Sequence, residues 1–292
     1  MKQTLFLIFG CIVAFSCTTQ NKPDTAEDTK PEFDRRIQLE GEHNFRDLGG
    51  YQTAQNQSLK KGMIYRSGSL HKLTVHDQNK LEELGIKTVV NFLTPNEIAK
   101  QGEDLLPEGV VTINLPIEGM GNEVDDLIEA RITGDFSKIP IDFNYNIHEI
   151  LPESGKEQYA AFFEVIMDSN NYPLVFHCSH GVHRTGTATA LLLSAMNVPW
   201  ETIRQDYVLS SEYRLPESTR RIKQLDSLAR FNGVTNPEEN LNYINAFYLL
   251  QPEYIDGTKE HIEKDYSSFD SYLNTIYMSQ EKIDYLKTQL LE

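Results

Sequence analysis

The sequence is poor in cysteine, has fewer basic than acidic residues, and lacks an apolar run long enough to cross a membrane. Its three cysteines are too few for a disulfide scaffold. Its 27 Lys and Arg residues stand against 43 Asp and Glu, so the net charge is −16. This balance argues against a nucleic-acid partner, because such binders need dense positive charge to displace phosphate counterions. Its 12 prolines and 17 glycines follow no period, which excludes collagen-like and low-complexity chains.

The residues that are present are typical of a globular protein. Apolar residues make up 39% and aromatic residues 10% of the 292 residues, which is more than disordered chains carry. The length fits one large domain, or one domain with a helical extension. We therefore expect a folded enzyme or binding domain.

The N-terminus has the pattern of an export signal. An apolar run from Leu5 to Phe15 ends at Ser16-Cys17, and it is shorter than the ~20 residues that a membrane-spanning helix needs. A small residue directly before a cysteine resembles a bacterial lipoprotein signal, so we predict a signal peptide over 1–16 and a lipidated Cys17. An ordinary secretory signal with an incidental cysteine is the alternative.

The polar, proline-bearing segment 17–35 reads as a flexible tether. We therefore expect an exported lipoprotein, held by its lipid anchor at the periplasmic face of a bacterial membrane or at the cell surface. Cys11 would leave with the signal and Cys17 would be acylated. Cys178 is then the one thiol of the folded body, which spans residues 36–292.

The body alternates between strand and helix patterns, which predicts an α/β fold with parallel strands. Short apolar or β-branched runs indicate strands at 63–66, 88–93, 110–115 and 173–177. Thr74, with Asp77 three residues later, has the pattern of a helix cap. The acidic segment 119–155 is interpreted as a partly helical lid or insertion, because a bare loop of that length is unusual. Residues 201–292 are predicted to be helical throughout.

The segment that carries chemistry is Pro173 to Gly186, PLVFHCSHGVHRTG. It consists of a strand, a tight loop and an apolar helix. A loop curled at a helix N-terminus aims its backbone N–H groups inward, where the helix dipole adds positive potential. Gly181 permits the left-handed backbone that such a curl requires, and Arg184 can hold two phosphate oxygens with its planar guanidinium.

Cys178 would lie at the bottom of this cradle. The N–H groups and Arg184 would lower its pKa, so that a thiolate exists at neutral pH. A thiolate under a bound phosphoryl group can attack phosphorus in line, giving a thiophosphate that water then hydrolyses. The Thr185 hydroxyl can stabilise the leaving thiolate, and neither a metal nor a cofactor is needed because the arginine and amides supply the charge.

Three other interpretations of the segment stay open. Cys178 could be a buried core thiol, or a sulfur-transfer nucleophile. With His177, His180 and His183 it could form a zinc site, although no second Cys/His cluster supplies further ligands. His177 is favoured as a residue that hydrogen-bonds near the thiolate.

The loop HCSHGVHRTG resembles the signature loop of protein tyrosine phosphatases, and the body is similar to the bacterial secreted tyrosine/serine phosphatase family. Members of that family often also accept phosphoinositides. The further motifs that carry the resemblance are Asn44 to Gly50, Tyr65 to Ser67, Leu84 to Glu97, Asp206 to Ser210, and Pro252 onward through Tyr266 and Tyr272. They cover roughly residues 40–292. The resemblance implies a phosphatase-like, mostly parallel central sheet flanked by helices, with a helical C-terminal extension.

The resemblance implies that Cys178 is the nucleophile and Arg184 the phosphate clamp, with Thr185 and His183 as further catalytic candidates. The residues expected to bind the substrate are Ser179, His180, Gly181, Val182, Arg46, Asp47 and Arg66. The implied activity is a metal-independent phosphomonoester hydrolase that acts on phosphotyrosine, and also on phosphoserine or phosphothreonine in a dual-specificity form.

Two departures from the family pattern concern the general acid, which must protonate the leaving oxygen. The family usually has Lys and Asp before the arginine, where this chain has Val182 and His183. It usually has Asp-Leu-Arg on the third strand, where Asn91 stands first. Both common carboxylate positions are therefore empty, and a protonated His183 and Asp47 are the candidates for the acid.

Three functions stay open after these departures. The first is the phosphatase acting on a phosphorylated protein. The second is a phosphatase acting on phosphoinositides or inositol polyphosphates. The Gly-x-His-Arg-Thr-Gly ending of the loop also resembles that of atypical dual-specificity phosphatases that act on inositol pyrophosphates. The third is a catalytically weak phosphate-binding module, suggested by the missing carboxylates. Release of inorganic phosphate separates the module from both enzymes.

Overall fold

A computed structural model describes residues 34–118 and 121–292, with the backbone alone for 121–125. Residues Arg35–Glu292 form one compact unit. The predicted signal peptide, Cys17 and nearly all of the predicted tether lie outside the described residues. None of the helices in the described part of the chain combines the length and the apolar character needed to cross a membrane.

The strands form one mixed sheet in the order β1-β2-β5-β3-β4, in which β1 alone runs antiparallel. This confirms the predicted α/β fold with a mostly parallel sheet. The strands are β1 Arg46–Asp47, β2 Ile64–Ser67, β3 Thr88–Asn91, β4 Val111–Asn114 and β5 Leu174–His177. The predicted strand at 110–115 is correct in place, but β4 is an edge strand and mostly exposed rather than buried.

Helices cover both faces of the sheet's buried strands and make up most of the remaining chain. They are α1 Val75–Glu83, α2 Pro95–Gln101, α3 Gly121–Thr133, α4 Phe143–Ser154, α5 Lys156–Met167, α6 Arg184–Ala195, α7 Trp200–Tyr213, α8 Leu215–Phe231, α9 Pro237–Tyr248, α10 Asp256–Tyr266, α11 Phe269–Thr275 and α12 Gln280–Leu290. The segment interpreted as a lid contains α3 and α4, and the stretch 201–292 is largely helical, as predicted.

Two helices begin at capping boxes that the sequence specifies. At α1 the Thr74 side chain accepts from the Asp77 N–H while Asp77 accepts from the Thr74 N–H. At α2 Thr94 and Glu97 make the same pair of bonds, and Pro95 occupies the first turn. These caps satisfy N–H groups that the helix itself leaves unpaired. The α2 cap also fixes Glu97, which has a second function in the site.

The centre of the sheet places the signature loop. β5 is fully buried, and its last residue, His177, pairs in register with Ser67 of β2 and Asn91 of β3. The carboxyl ends of three parallel strands therefore meet where the loop begins. In open α/β sheets, ligands bind outside this edge.

Candidate active site

The loop from Cys178 to Thr185, called the cradle below, links β5 to α6 and curls over the sheet edge. Its turn depends on Gly181, which has φ +67°. A Cβ at this position would lie 2.4 Å from Ser67 O and 2.7 Å from Asn44 Nδ2. Only glycine satisfies both the backbone angle and the close approach.

Cys178 lies at the floor of the cradle with 3% of its surface exposed. Burial would raise the pKa of its thiol, but the Arg184 guanidinium, the hydroxyl and N–H of Thr185, and the His180 N–H together lower it below the usual range. The Thr185 hydroxyl is buried and has no oxygen or nitrogen partner among the described residues. The loop thus favours a thiolate.

Arg184 is held in one orientation by Glu97. Its Nη1 and Nη2 donate to the two Glu97 carboxylate oxygens at 2.7 and 2.6 Å. Nη1 also donates to the carbonyls of Phe92 and Ile117, each at 3.1 Å. Although burial opposes it, the pKa of Glu97 is lowered by Arg184 and by the Thr94 cap. Among the described residues, nothing accepts a bond from Arg184 Nε, and Nη2 uses one of its two hydrogens on Glu97, so Nε and the second Nη2 hydrogen are left for a ligand in the pocket.

His177 and Asp104 form a buried pair behind the cysteine. His177 Nε2 lies 2.9 Å from Asp104 Oδ2, and Nδ1 lies 3.2 Å from the Cys178 carbonyl. Burial opposes the charge, but the Asp104 carboxylate raises the pKa of His177. Asn91, at an empty carboxylate position, donates to Asp104 at 3.1 Å. This confirms a hydrogen-bonding role for His177, whereas sequence reasoning missed Asp104.

Arg46 and Arg66, expected to bind substrate, lie beneath the cradle instead. They are 0% and 1% exposed and both pair with the buried Asp206 carboxylate. Arg66 Nη2 donates to the Gly181 carbonyl at 2.7 Å, and Asn44 Nδ2 donates to the His180 carbonyl at 2.9 Å. Arg66 and Asn44 therefore support the loop from below. Neither Arg46 nor Arg66 lines the pocket above the cysteine.

The prediction that Asp47 binds substrate or acts as the acid is also wrong. Its carboxylate accepts from the N–H groups of Gly49 at 2.7 Å and Gly62 at 2.8 Å. These bonds fix the turn after β1. Asp47 does not line the active-site pocket, so it is neither a substrate ligand nor the acid.

His183 lines the pocket but is held as a neutral ring. Burial lowers its pKa to about 3, with the positive charges of Arg184, Arg214 and Arg131 acting in the same direction. Its Nε2 lies 2.7 Å from Asn144 Oδ1, which must accept because the Asn144 amide group donates to backbone carbonyls. In the free protein His183 therefore lacks the charged form that its predicted role as the acid requires.

The pocket above Cys178 has a volume of about 240 Å³. The cradle forms its floor, and α3, α4 and the end of α9 supply apolar walls, including Phe143, Leu151 and Phe247. Of the residues described, only Glu97 and Glu118 bring carboxylates to this pocket. Glu118 follows Ile117, whose carbonyl accepts from Arg184, and its side chain is exposed.

The predicted cradle residues meet at this pocket. Ser179, His180, Val182 and His183 line it with Cys178 and Arg184, while Gly181 and Thr185 are buried in its base. Within residues 34–118 and 121–292, no group of three or more His, Cys, Asp or Glu side chains could hold a metal ion. The loop histidines are engaged separately, with Asp104, Ser179 and Asn144.

A cysteine with a lowered pKa, under an arginine and at the start of a helix, defines the class of cysteine-dependent phosphatases. The model of the tyrosine phosphatase family matches residues 37–292. The chain belongs to that family and is a phosphoric monoester hydrolase.

Curated relatives and a solved structure are similar to this chain along most of its length. A putative tyrosine-protein phosphatase of Cupriavidus necator is 25% identical over 79% of this chain and 80% of its own length. The triple specificity protein phosphatase PtpB of Mycobacterium tuberculosis is 24% identical over 87% and 98%. The catalytic core of the PP-IP phosphatase SIW14 of S. cerevisiae, solved with citrate, is 16% identical with a TM-score of 0.33, over 78% and 94%.

Proposed function

We propose that this protein hydrolyses phosphotyrosine in proteins through a thiophosphate on Cys178. The observation that carries the proposal is the position of a thiol with a lowered pKa at the floor of a pocket, beneath a guanidinium fixed by Glu97. Two phosphate oxygens would accept from Arg184 Nε and from the Nη2 hydrogen that Glu97 does not use. The remaining oxygen charge would face the backbone N–H groups of the cradle.

In the first step, Cys178 Sγ forms a bond to phosphorus while the bond to the tyrosyl oxygen breaks. In the second step, a water oxygen attacks phosphorus and the thiolate leaves. The Thr185 hydroxyl, unpaired with other described oxygen or nitrogen atoms, would then donate to the thiolate. Arg184 and the cradle stay in place through both steps and stabilise the equatorial oxygens.

We assign the general acid to Glu118. Of the two pocket carboxylates, Glu97 is ionised and occupied by both Arg184 nitrogens, so it has no proton to give. His183 is neutral and already donates to Asn144. Glu118 remains, a solvent-exposed carboxylate on the wall of the pocket, within which the leaving oxygen must be protonated. In the second step the same carboxylate would take a proton from water.

The walls of the pocket favour an aromatic phosphoester. Phe143, Leu151 and Leu250 are buried apolar side chains that face the pocket, and an aromatic ring would contact them without leaving polar groups unpaired. The name of the mycobacterial relative states triple specificity and that of the yeast structure a PP-IP substrate. Phosphoserine, phosphothreonine and phosphoinositide substrates therefore belong in the same assay.

We further propose that the chain is an exported lipoprotein anchored through Cys17. The support is the short apolar run followed by Ser16-Cys17 and a polar segment. Mass spectrometry of the N-terminal peptide from bacterial membranes tests this. A diacylglyceryl group on Cys17, lost in Cys17→Ser, is expected, and cleavage at another residue without lipid would support an ordinary signal.

Phosphate release from a phosphotyrosine peptide tests the main proposal. The full chain is assayed with EDTA and reductant, and Cys178→Ser is the matched control. Release by the wild type and none by the variant is the expected result. No release from phosphotyrosine, phosphoserine or phosphoinositide substrates, together with retained phosphate affinity, would indicate a binding module.

A further inference from the structure

A second cavity of about 220 Å³ adjoins the active-site pocket. The two cavities share Arg131, His180, Arg214 and Tyr248 in their walls. The second cavity extends from these residues to the first turns of α8, where Ser218 and Arg221 line it. A ligand bound at Cys178 could therefore extend from the active-site pocket into the second cavity.

Positive charge dominates this second cavity. Arg131, Arg214 and Arg221 are all partly buried, and the one described carboxylate on its wall is Glu217, 3.5 Å from Arg214 Nε. No ion pair to Arg131 or Arg221 is formed within the described part of the chain. In a protein of net charge −16, such uncompensated arginines mark a place where an anion binds.

A buried hydroxyl points to the same ligand. Ser218 is 1% exposed and lines the cavity, yet its Oγ has no hydrogen-bond partner among the described residues. An unpaired buried polar group costs free energy, and a bound oxygen atom would satisfy it. A serine hydroxyl beside arginines is a donor set that suits phosphate.

We infer that Arg131, Arg214, Ser218 and Arg221 form a second anion subsite, which binds a second phosphate group on the same phosphotyrosine peptide. The inference rests on the proposed function and names the class of substrate that the site prefers. Arg131 and Arg214 stand between the two cavities and would contact both phosphates. Arg221 and Ser218 would contact the second phosphate alone.

The apolar wall of the first pocket favours a peptide over a phosphorylated inositol. An inositol ring carries polar groups at every carbon, and Phe143, Leu151 and Leu250 offer it no hydrogen bonds. A tyrosine ring fits the same wall, and a peptide backbone can carry a second phosphorylated residue to the arginines. The subsite thus adds charge recognition to an aromatic pocket.

The test compares singly and doubly phosphorylated peptides with the full chain. Peptides with one phosphotyrosine are paired with peptides that carry a phosphoserine at each of the four positions on either side. We expect kcat/KM to rise about tenfold for at least one spacing. The gain should shrink in ~1 M salt, where the Debye length is ~3 Å.

Variants assign the gain to the subsite. In Arg221→Gln and in Ser218→Ala, the ratio of kcat/KM for the doubly to the singly phosphorylated peptide should fall toward one. Arg230→Gln, further along the same helix and exposed at its surface, is the control and should keep the wild-type ratio. Persistence of the gain in Arg221→Gln would overturn the subsite.

Two further outcomes separate the subsite from the catalytic proposal. Binding of the same peptides to Cys178→Ser, measured by fluorescence anisotropy, detects the subsite even if the wild type releases no phosphate. Equal affinity for singly and doubly phosphorylated peptides at every spacing overturns the inference. A gain seen only with a phosphoinositide headgroup, soluble or in vesicles, also overturns it, because the occupant would then not be a peptide.

Discussion

Asp104 Oδ2 lies 2.9 Å from His177 Nε2 directly behind the cysteine, so a buried carboxylate and a buried imidazole are hydrogen-bonded beneath the cradle. The same pair raises the pKa of His177 and lowers that of Asp104, each against the effect of burial. By favouring the protonated form of His177, Asp104 favours a positive charge beside the Cys178 thiolate.

Replacement of Asp104 should therefore weaken the nucleophile without removing it. In Asp104→Asn, His177 loses its carboxylate and becomes neutral at a lower pH, so the pKa of the Cys178 thiol should rise. The rate of alkylation by iodoacetamide against pH measures this pKa directly. Asp270→Asn, an exposed position on α11, is the control. An unchanged alkylation profile in Asp104→Asn would show that the pair is only structural.

Gly181→Ala should abolish turnover because the loop cannot accept a side chain there. Its φ is +67°, and the new Cβ would lie 2.4 Å from Ser67 O. We expect at least a 100-fold loss of kcat/KM for p-nitrophenyl phosphate and a lower melting temperature. Gly85→Ala is a matched control, since Gly85 has φ +68° with nothing within 4 Å of the added Cβ. That control should cost only ~1–2 kcal/mol of stability and keep its activity.

Glu118→Gln should slow substrates whose leaving group needs a proton. We expect kcat/KM for a phosphotyrosine peptide to fall about 100-fold. Hydrolysis of p-nitrophenyl phosphate should fall much less, because p-nitrophenolate is a stable leaving group. An equal loss for both substrates would speak against Glu118 as the acid.

His183→Ala should leave the shape of the pH–rate profile unchanged. The pKa of His183 lies at about 3 because of burial and of Arg184, Arg214 and Arg131, so the ring does not titrate between pH 5 and 8. The rate itself should fall, since the bond to Asn144 positions the cradle. Loss of one limb of the profile in this variant would restore His183 as the acid.

Stability should fall as the pH drops below about 6.5, partly because of His148. Burial, with the positive charge of Arg66 acting in the same direction, holds the pKa of His148 well below its usual range. The unfolded chain then binds a proton that the folded chain does not, at a cost of up to about 1.4 kcal/mol per pH unit. Urea midpoints at pH 7.5 and 5.5 should differ less in His148→Gln than in the wild type. The same difference in both would show that other groups carry the effect.

The sequence allowed the sheet and the cradle to be predicted because both depend on local signals. Apolar runs mark β3 and β5, and the spacing from Cys178 to Arg184 marks the loop. The partners of the loop depend on tertiary contacts instead. Asp104 lies 73 positions before His177, in a stretch without a regular pattern, and Glu97 is 87 positions before Arg184.

The wrong assignments of Arg46 and Arg66 have a common physical cause. An arginine next to a phosphate-binding motif suggests a phosphate ligand, and sequence alone does not show whether its side chain points up or down. The orientation of the Arg46 side chain is set by Asp206, which lies 160 positions further along the chain and accepts a hydrogen bond from it. The two arginines therefore form ion pairs with α7 and do not contact the substrate.

Asp206 also determines how the protein can be divided. It is carried by the first helix of the C-terminal extension, yet it neutralises Arg46 and Arg66 under the cradle. A chain cut before α7 would leave both guanidinium groups without the carboxylate that neutralises them. Breaking a buried pair typically costs ~3–5 kcal/mol, a large share of the ~5–15 kcal/mol that holds a domain folded. Recombination could therefore not replace the extension with an unrelated segment, because the extension supplies the carboxylate that neutralises the two arginines under the cradle.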